Sequence, residues 1–321
     1  MKKICVMHRA SIGDTLLATP IYRALKENFP DAEIIAIVSP VGYELLQNNL
    51  YIDTLIKYKK GDSILSVVKK IFRADVAIIL DYHYRNALLA FLAMIPKRIG
   101  RGKDFINCKV EELPLETFES LKYLSLLKPL GISTDNLSLA KIIASDSEKI
   151  RAEKLIAEIK TPAQKLVVIA PMSLNPIKDW SAENYREIIR RLQNKNHVVA
   201  MIGGNVEREI IEKNFPGVIN FAGKTNLRES AEIISRADLQ ISGCTAMLHV
   251  CSTTNTPSIA IYGPSNPAQW APKKNCTVIT HNFDCSPCYN VHEKICDGNK
   301  CIQDISVDEV WSAVEKILSE S

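Results

Sequence analysis

The chain has 321 residues, 46% of them apolar and 24% charged, and a net charge of +4 at neutral pH. A chain of this length divides into about two domains, each able to bury its own core, and the composition excludes a disordered chain, a collagen-like repeat and a small disulfide-stapled module. No run of about 18 apolar residues is present to span a bilayer, and the apolar stretch after Met1-Lys2-Lys3 is too short for a signal peptide, so a cytoplasmic protein is expected.

Short β-branched runs alternate with segments of helical period. Strands are predicted at 3–8, 33–38, 54–57 and 76–80, with helices at 14–28, 42–47, 63–72, 85–94 and 115–128. Pro20 falls inside the first helical pattern and predicts a kink or break. The period weakens over 131–144, a charged helix follows at 146–160, and Thr161-Pro162 punctuates the chain. The alternation then resumes, with strands at 166–170, 197–202, 239–242 and 258–262. Helices are predicted between them at 182–193, 206–214, 227–236 and 247–252, and a last amphipathic helix at 307–318. Such alternation builds parallel sheets covered on both faces, because each crossover helix packs back on its sheet. We therefore expect an α/β protein of two Rossmann-like, doubly wound domains, 1–160 and 161–321, facing across a cleft. Ligands of such sheets bind at the carboxyl ends of the strands.

The turns at those ends carry the candidate chemistry. The first strand runs into Arg9-Ala10-Ser11-Ile12-Gly13-Asp14, which lacks the G-x-G-x-x-G of dinucleotide sites. Asp14 falls in the first helical turn, where it either complements the helix or accepts a proton from a substrate hydroxyl. In the second half, Lys178 precedes Ser181, a good N-cap, and is either a solvated lysine or a point charge for a phosphate. Gly203-Gly204-Asn205-Val206-Glu207 reads as a glycine turn, with Glu207 either favouring the helix start or pairing with ribose hydroxyls. Ser242-Gly243-Cys244-Thr245-Ala246 opens another helix, whose amides suit an anion. His249, in the same helix, is more often a packed histidine than a catalyst. Together these turns point to a phosphate-bearing ligand.

The run Ala10-Ser11-Ile12-Gly13-Asp14-Thr15-Leu16-Leu17-Ala18-Thr19-Pro20 resembles glycosyltransferase family 9, which contains the lipopolysaccharide heptosyltransferases. So do the Lys178-Asp179-Trp180 loop, Ala222-Gly223-Lys224-Thr225-Asn226-Leu227 and Tyr262-Gly263-Pro264-Ser265-Asn266-Pro267. The resemblance implies a GT-B fold, with an acceptor-binding N-terminal domain, a donor-binding C-terminal domain and a last helix that crosses back to the first domain. It implies inverting transfer of a heptose or related sugar, without a catalytic metal, from a nucleotide diphosphate donor, typically ADP-linked. The acceptor it implies is a lipopolysaccharide inner core or similar lipid-linked glycan.

Carried over by position, Asp14 is the general base and Lys178 the diphosphate lysine. Ser173, Glu207, Thr225, Cys244, Thr245, Ala246 and His249 fall at donor-binding places, and Ser11, Gly13, Arg98 and Arg101 are assigned to the acceptor. One departure is visible: the family's Asp-Ser/Thr-Gly at the helix start is here Cys244-Thr245-Ala246. It leaves open a different donor sugar or a catalytically silent sugar-nucleotide-binding protein of the same fold. No Asp-x-Asp occurs anywhere to hold a metal.

Residues 1–109 carry seventeen basic and ten acidic side chains, which suits an anionic acceptor or contact with the inner membrane surface as well as a merely solvated face. Nucleic acid is not expected, since no recognition motif appears, and a monomer is expected. Of nine cysteines, Cys285, Cys288, Cys296 and Cys301 cluster as C-x2-C-x7-C-x4-C. In a reducing compartment this spacing favours a closed structural Zn²⁺ site over disulfides, with both still open and with His281 and His292 as reserve ligands.

Overall fold

The structure is a computed structural model that describes residues 1–133, 136–173, 175–288 and 299–320. The chain divides into two compact units, Met1–Ile143 and Ala144–Ser321.

The first unit is built on six strands: β1 (Lys3–His8), β2 (Glu33–Val38), β3 (Thr54–Lys57), β4 (Val76–Ile79), β5 (Lys97–Gly100) and β6 (Cys108–Lys109). They lie in the order β3-β2-β1-β4-β5-β6, with every pairing parallel. In β1 and β2 every residue after the first is buried, because helices cover both faces; hence their continuous apolar runs rather than an alternation. One face packs Met7, Ile37, Ile56, Ile79, Leu89 and Tyr58 into a single core. The expected break at Pro20 is present. The helices are Ile12–Leu17 and Thr19–Asn28, and Pro20 sits in the first turn of the second, where its missing N–H costs nothing.

The second unit repeats the plan with β7 (Leu166–Ala170), β8 (Val198–Met201), β9 (Ile219–Asn220), β10 (Leu239–Gly243), β11 (Ser258–Tyr262) and β12 (Cys276–Thr280). Their order is β12-β11-β10-β7-β8-β9, again all parallel. Each sheet therefore reverses winding once, between β1 and β4 and between β7 and β10. The crevices at those switch points are where doubly wound sheets bind ligands.

Several expectations need correction. The division falls before the helix Asp146–Ala157, not at residue 160. That helix lies on the helix Leu227–Ser235, and Arg228 clasps Glu148 at 2.8 Å with both side chains nearly out of solvent. The last helix, expected to cross back, runs Val307–Glu320 and packs Val310, Val314 and Leu318 into the second unit's core beside Ile188, Leu192 and Ile261. Its apolar stripe is used there. The strands β5, β6, β9 and β12 were not foreseen. β6 and β9 are two residues long, β5 begins with Lys97-Arg98, and β12 is an edge strand with polar positions. The helix expected at 115–128 is confined to Glu119–Ser125, followed by a 3₁₀ turn at Lys128–Leu130.

Candidate functional site

In the first unit, the turn after β1 brings Asp14 to the third position of the helix Ile12–Leu17, with Gly13 beside it. Ser11 occupies the N-cap position but does not cap; its hydroxyl donates to Asp14 Oδ2 at 2.7 Å. The Tyr123 hydroxyl approaches Asp14 Oδ1 at 3.5 Å. Tyr123 is buried, and its ring meets His8 edge-on at 5.0 Å. Burial, reinforced by the Asp14 and Glu119 charges, pushes the Tyr123 hydroxyl well up, so it stays a proton donor to Asp14. Burial also lowers the basicity of His8, against the opposing pull of Asp81, Asp14 and Glu119. The outcome is a half-buried carboxylate with a hydroxyl on each oxygen, at the carboxyl edge of the sheet. Such a group can receive a proton from an incoming hydroxyl.

Arg98 and Arg101, assigned to the acceptor, make their described contacts within the first unit. Arg98 donates to the Phe105 and Ile95 carbonyls, at 2.6 and 2.7 Å, and lies over the Phe91 ring. Arg101 bonds the Lys122 carbonyl and the Ser125 hydroxyl. Both guanidinium groups tie loops to the fold. Arg9, Asp81 and Tyr123, by contrast, were not singled out from the sequence, although all three gather around the β1–β4 switch point or Asp14 itself.

In the second unit, the loop after β7 is internally braced. The Ser173 amide donates to Asp179 Oδ1 at 2.8 Å, and the Ser173 hydroxyl donates to the Asn175 carbonyl at 2.7 Å. Burial pushes the Asp179 carboxyl up, against the Ser173 hydrogen bonds and the Lys178 charge. Trp180 is buried and donates to the Ile305 carbonyl at 2.9 Å, anchoring this loop to the C-terminal segment. A Cβ on Gly243 would stand 3.2 Å from the Lys178 carbonyl oxygen, so glycine there lets the Lys178 turn lie close on the end of β10. The structure thereby brings Lys178 to the run Gly243-Cys244-Thr245.

That run ends in polar groups with nothing to bond. Among the described residues the buried hydroxyls of Ser242, Thr245 and Ser265 have no hydrogen-bond partner. Thr245 is the N-cap residue of the helix Ala246–Cys251 yet makes no cap bond. An unpaired buried hydroxyl costs about 1–3 kcal/mol, so these three, two at the end of β10 and one beyond the end of the adjacent β11, are polar groups that a ligand can pair. Cys244 is half-buried against Tyr262 and Ala260, and His249 is buried within the helix.

The remaining assigned residues serve local structure. Glu207 accepts the Gly204 amide and so closes its own helix start; burial pushes its carboxyl up, with the Asp179 charge adding to the rise. Thr225 shares a 2.9 Å hydrogen bond with Ser230. Of the cysteine cluster, Cys285 is half-buried and Cys288 and Cys301 are buried, while Cys296 and His292 lie outside the described residues. Among the described residues no three His, Cys, Asp or Glu side chains converge as a metal site, and His281 pairs with Glu309 at 2.7 Å. No helix among them is long and apolar enough to cross a membrane.

Two doubly wound parallel sheets, each with polar groups at its switch point, are the architecture of the GT-B class of glycosyltransferase fold. Residues 64–296 match the profile of glycosyltransferase family 9 (heptosyltransferase). The chain belongs to this family and is a glycosyltransferase. It is 26% identical over 303 residues to the lipopolysaccharide core heptosyltransferase OpsX of Haemophilus influenzae, covering 88% of this chain and 85% of that one. It is 23% identical over 336 residues to lipopolysaccharide heptosyltransferase 3 of Escherichia coli, covering 96% of each. Among solved structures, a family 9 glycosyl transferase from Veillonella parvula superposes with a TM-score of 0.86 at 23% identity, over 100% of this chain and 98% of that one. The ADP-heptose lipopolysaccharide heptosyltransferase II of E. coli gives 0.82 at 22% identity, over 100% and 99%.

Proposed function

We propose that this glycosyltransferase moves a heptose or closely related sugar, with inversion and without a catalytic metal, from an ADP-linked donor to a lipopolysaccharide inner core or similar glycan. Asp14 takes the proton from the acceptor hydroxyl as its oxygen attacks the anomeric carbon. The bond to the diphosphate breaks, and the charge developing there meets the Lys178 ammonium together with the hydroxyl and amides at Thr245 and Ala246. The absence of any Asp-x-Asp from the sequence supports this division of labour. The relatives named for ADP-heptose and for lipopolysaccharide support the donor and acceptor classes.

The observation that carries the reading is the Asp14 carboxylate, held by the Ser11 and Tyr123 hydroxyls at the carboxyl edge of β1. Asp14→Asn keeps the shape of the side chain and removes its basicity. It should lower kcat by at least about 100-fold, the contribution of a positioned general base, while ADP binding is unchanged. Transfer at the parental rate would remove Asp14 from the mechanism. We also propose a structural Zn²⁺ held by Cys285, Cys288, Cys296 and Cys301. One zinc per purified chain is the expected result, and a zinc-free, fully folded chain would refute it.

A further inference from the structure

Arg9 is the first residue after β1, at the point where β1 and its neighbour β4 part. Its amide donates to Asp81 Oδ2 at 3.1 Å, and Asp81 stands two residues beyond the end of β4. Asn86, which has no exposed surface, donates its Nδ2 to the same Asp81 oxygen at 2.7 Å. Its own carbonyl oxygen accepts from Arg9 Nε at 2.9 Å. The guanidinium plane lies over the ring of the buried Tyr58, 5.1 Å from its centre.

An exposed arginine with a purely solubilising role gains nothing from such a mount. A buried amide fixes one edge of the fork, a carboxylate fixes the amide, and an aromatic face fixes the plane. Among the described residues no carboxylate forms an ion pair with the Arg9 guanidinium, and neither terminal nitrogen has an acceptor. Those two nitrogens, immobilised and unspent, form the donor pair that grips a planar or tetrahedral oxyanion. Arg9 and Asp14 bound the same strand-to-helix turn, so their Cα atoms lie within about 18 Å at full extension.

We propose that Arg9 is a specificity-determining residue, whose guanidinium binds a carboxylate or phosphate carried by the sugar acceptor whose hydroxyl Asp14 deprotonates. This assignment of the ligand rests on the transferase reading above; the anion site itself does not.

The test titrates the full chain, labelled with ¹⁵N-arginine, with glucuronate and separately with glucose 6-phosphate, so that the two arms distinguish the two oxyanions. At least one probe should shift the Arg9 Nε resonance saturably, Arg9→Gln should weaken that probe at least tenfold, and Arg9→Lys should weaken it too, since it keeps the charge but loses the fork. ADP binding should be the same in all three proteins, which also shows that the variants are folded. No shift at Arg9 with either probe, full affinity in Arg9→Gln, or ADP binding lost along with probe binding would each overturn the proposal. Should Asp14→Asn retain full transfer while the probe still shifts Arg9, the anion site stands and the catalytic reading alone falls.

Discussion

At the residue scale, the carboxylate is defined by what surrounds it. Tyr123 is kept protonated by burial and stands 3.5 Å from Asp14. A contact of 3.5 Å lies at the limit of a hydrogen bond and is worth about 0.5 kcal/mol, so Tyr123→Phe should lower kcat about two- to threefold and leave the donor KM unchanged. Steady-state kinetics checks this, and an unaltered kcat would make Tyr123 a packing residue only. His8 carries a pH consequence. Burial holds its folded basicity below the ordinary value of 6.5, so the fold prefers the neutral ring. Its contribution is complete above pH 6.5 and is lost as pH falls from there through the folded value. Melting the parent and a His8→Leu variant between pH 7.5 and 5 should show a smaller acid loss in the variant. At this scale Asp14 and Lys178 were legible because each sits in a recognisable local run. Arg9 and Tyr123 were not: Arg9 gains its meaning from Asn86 and Asp81, 77 and 72 residues away, and Tyr123 from Asp14, 109 residues away. No local pattern encodes such pairings.

At the element scale, long β-branched runs and amphipathic helices were readable because burial on both faces of a parallel sheet leaves an uninterrupted apolar signature. The short strands β6 and β9 carry no such signature, since two residues pair by position in the sheet and not by preference. The helix Asp146–Ala157 was recognised as a helix but assigned to the wrong unit, because its attachment is a polar clasp. Burial alone would raise the Glu148 carboxyl, yet the hydrogen bonds from Arg228, Ser145 and Asn226 hold it down at about 2. Removing one partner of a buried ion pair costs about 3–5 kcal/mol by stranding the other. Arg228→Ala should therefore lower the urea midpoint of the second unit. Because the folded carboxyl lies below its unfolded value of 4.5, the clasp is fully effective above that pH and fades as pH falls towards about 2. A variant whose acid unfolding matches the parent's would show the clasp to be inert.

At the scale of the whole molecule, the chain is two copies of one topological plan with different work at their switch points: a mounted carboxylate and arginine in the first, and unpaired hydroxyls beside a lysine turn in the second. This duality was legible, since the strand–helix alternation restarts after Thr161-Pro162. The seam was not, because punctuation in sequence marks where a helix ends and not which core it joins. The two possible seams make different predictions. Each unit has its own buried core, so a fragment spanning 144–321 should unfold cooperatively on its own. It should also be stabilised by ADP, by about 2.7 kcal/mol when the nucleotide is present at 100 times its Kd. A fragment beginning at 161 lacks the helix that carries Glu148, Arg151 and Glu153. It strands Arg228, with its side chain only 15% exposed in the intact unit, and frees Arg236 from its 2.6 Å pair with Glu153. The shorter fragment should melt well below the longer one, by more than the loss of an exposed ion pair could explain. Equal melting temperatures and equal ADP stabilisation in the two fragments would return the helix to the first unit, and the seam to the residues after it.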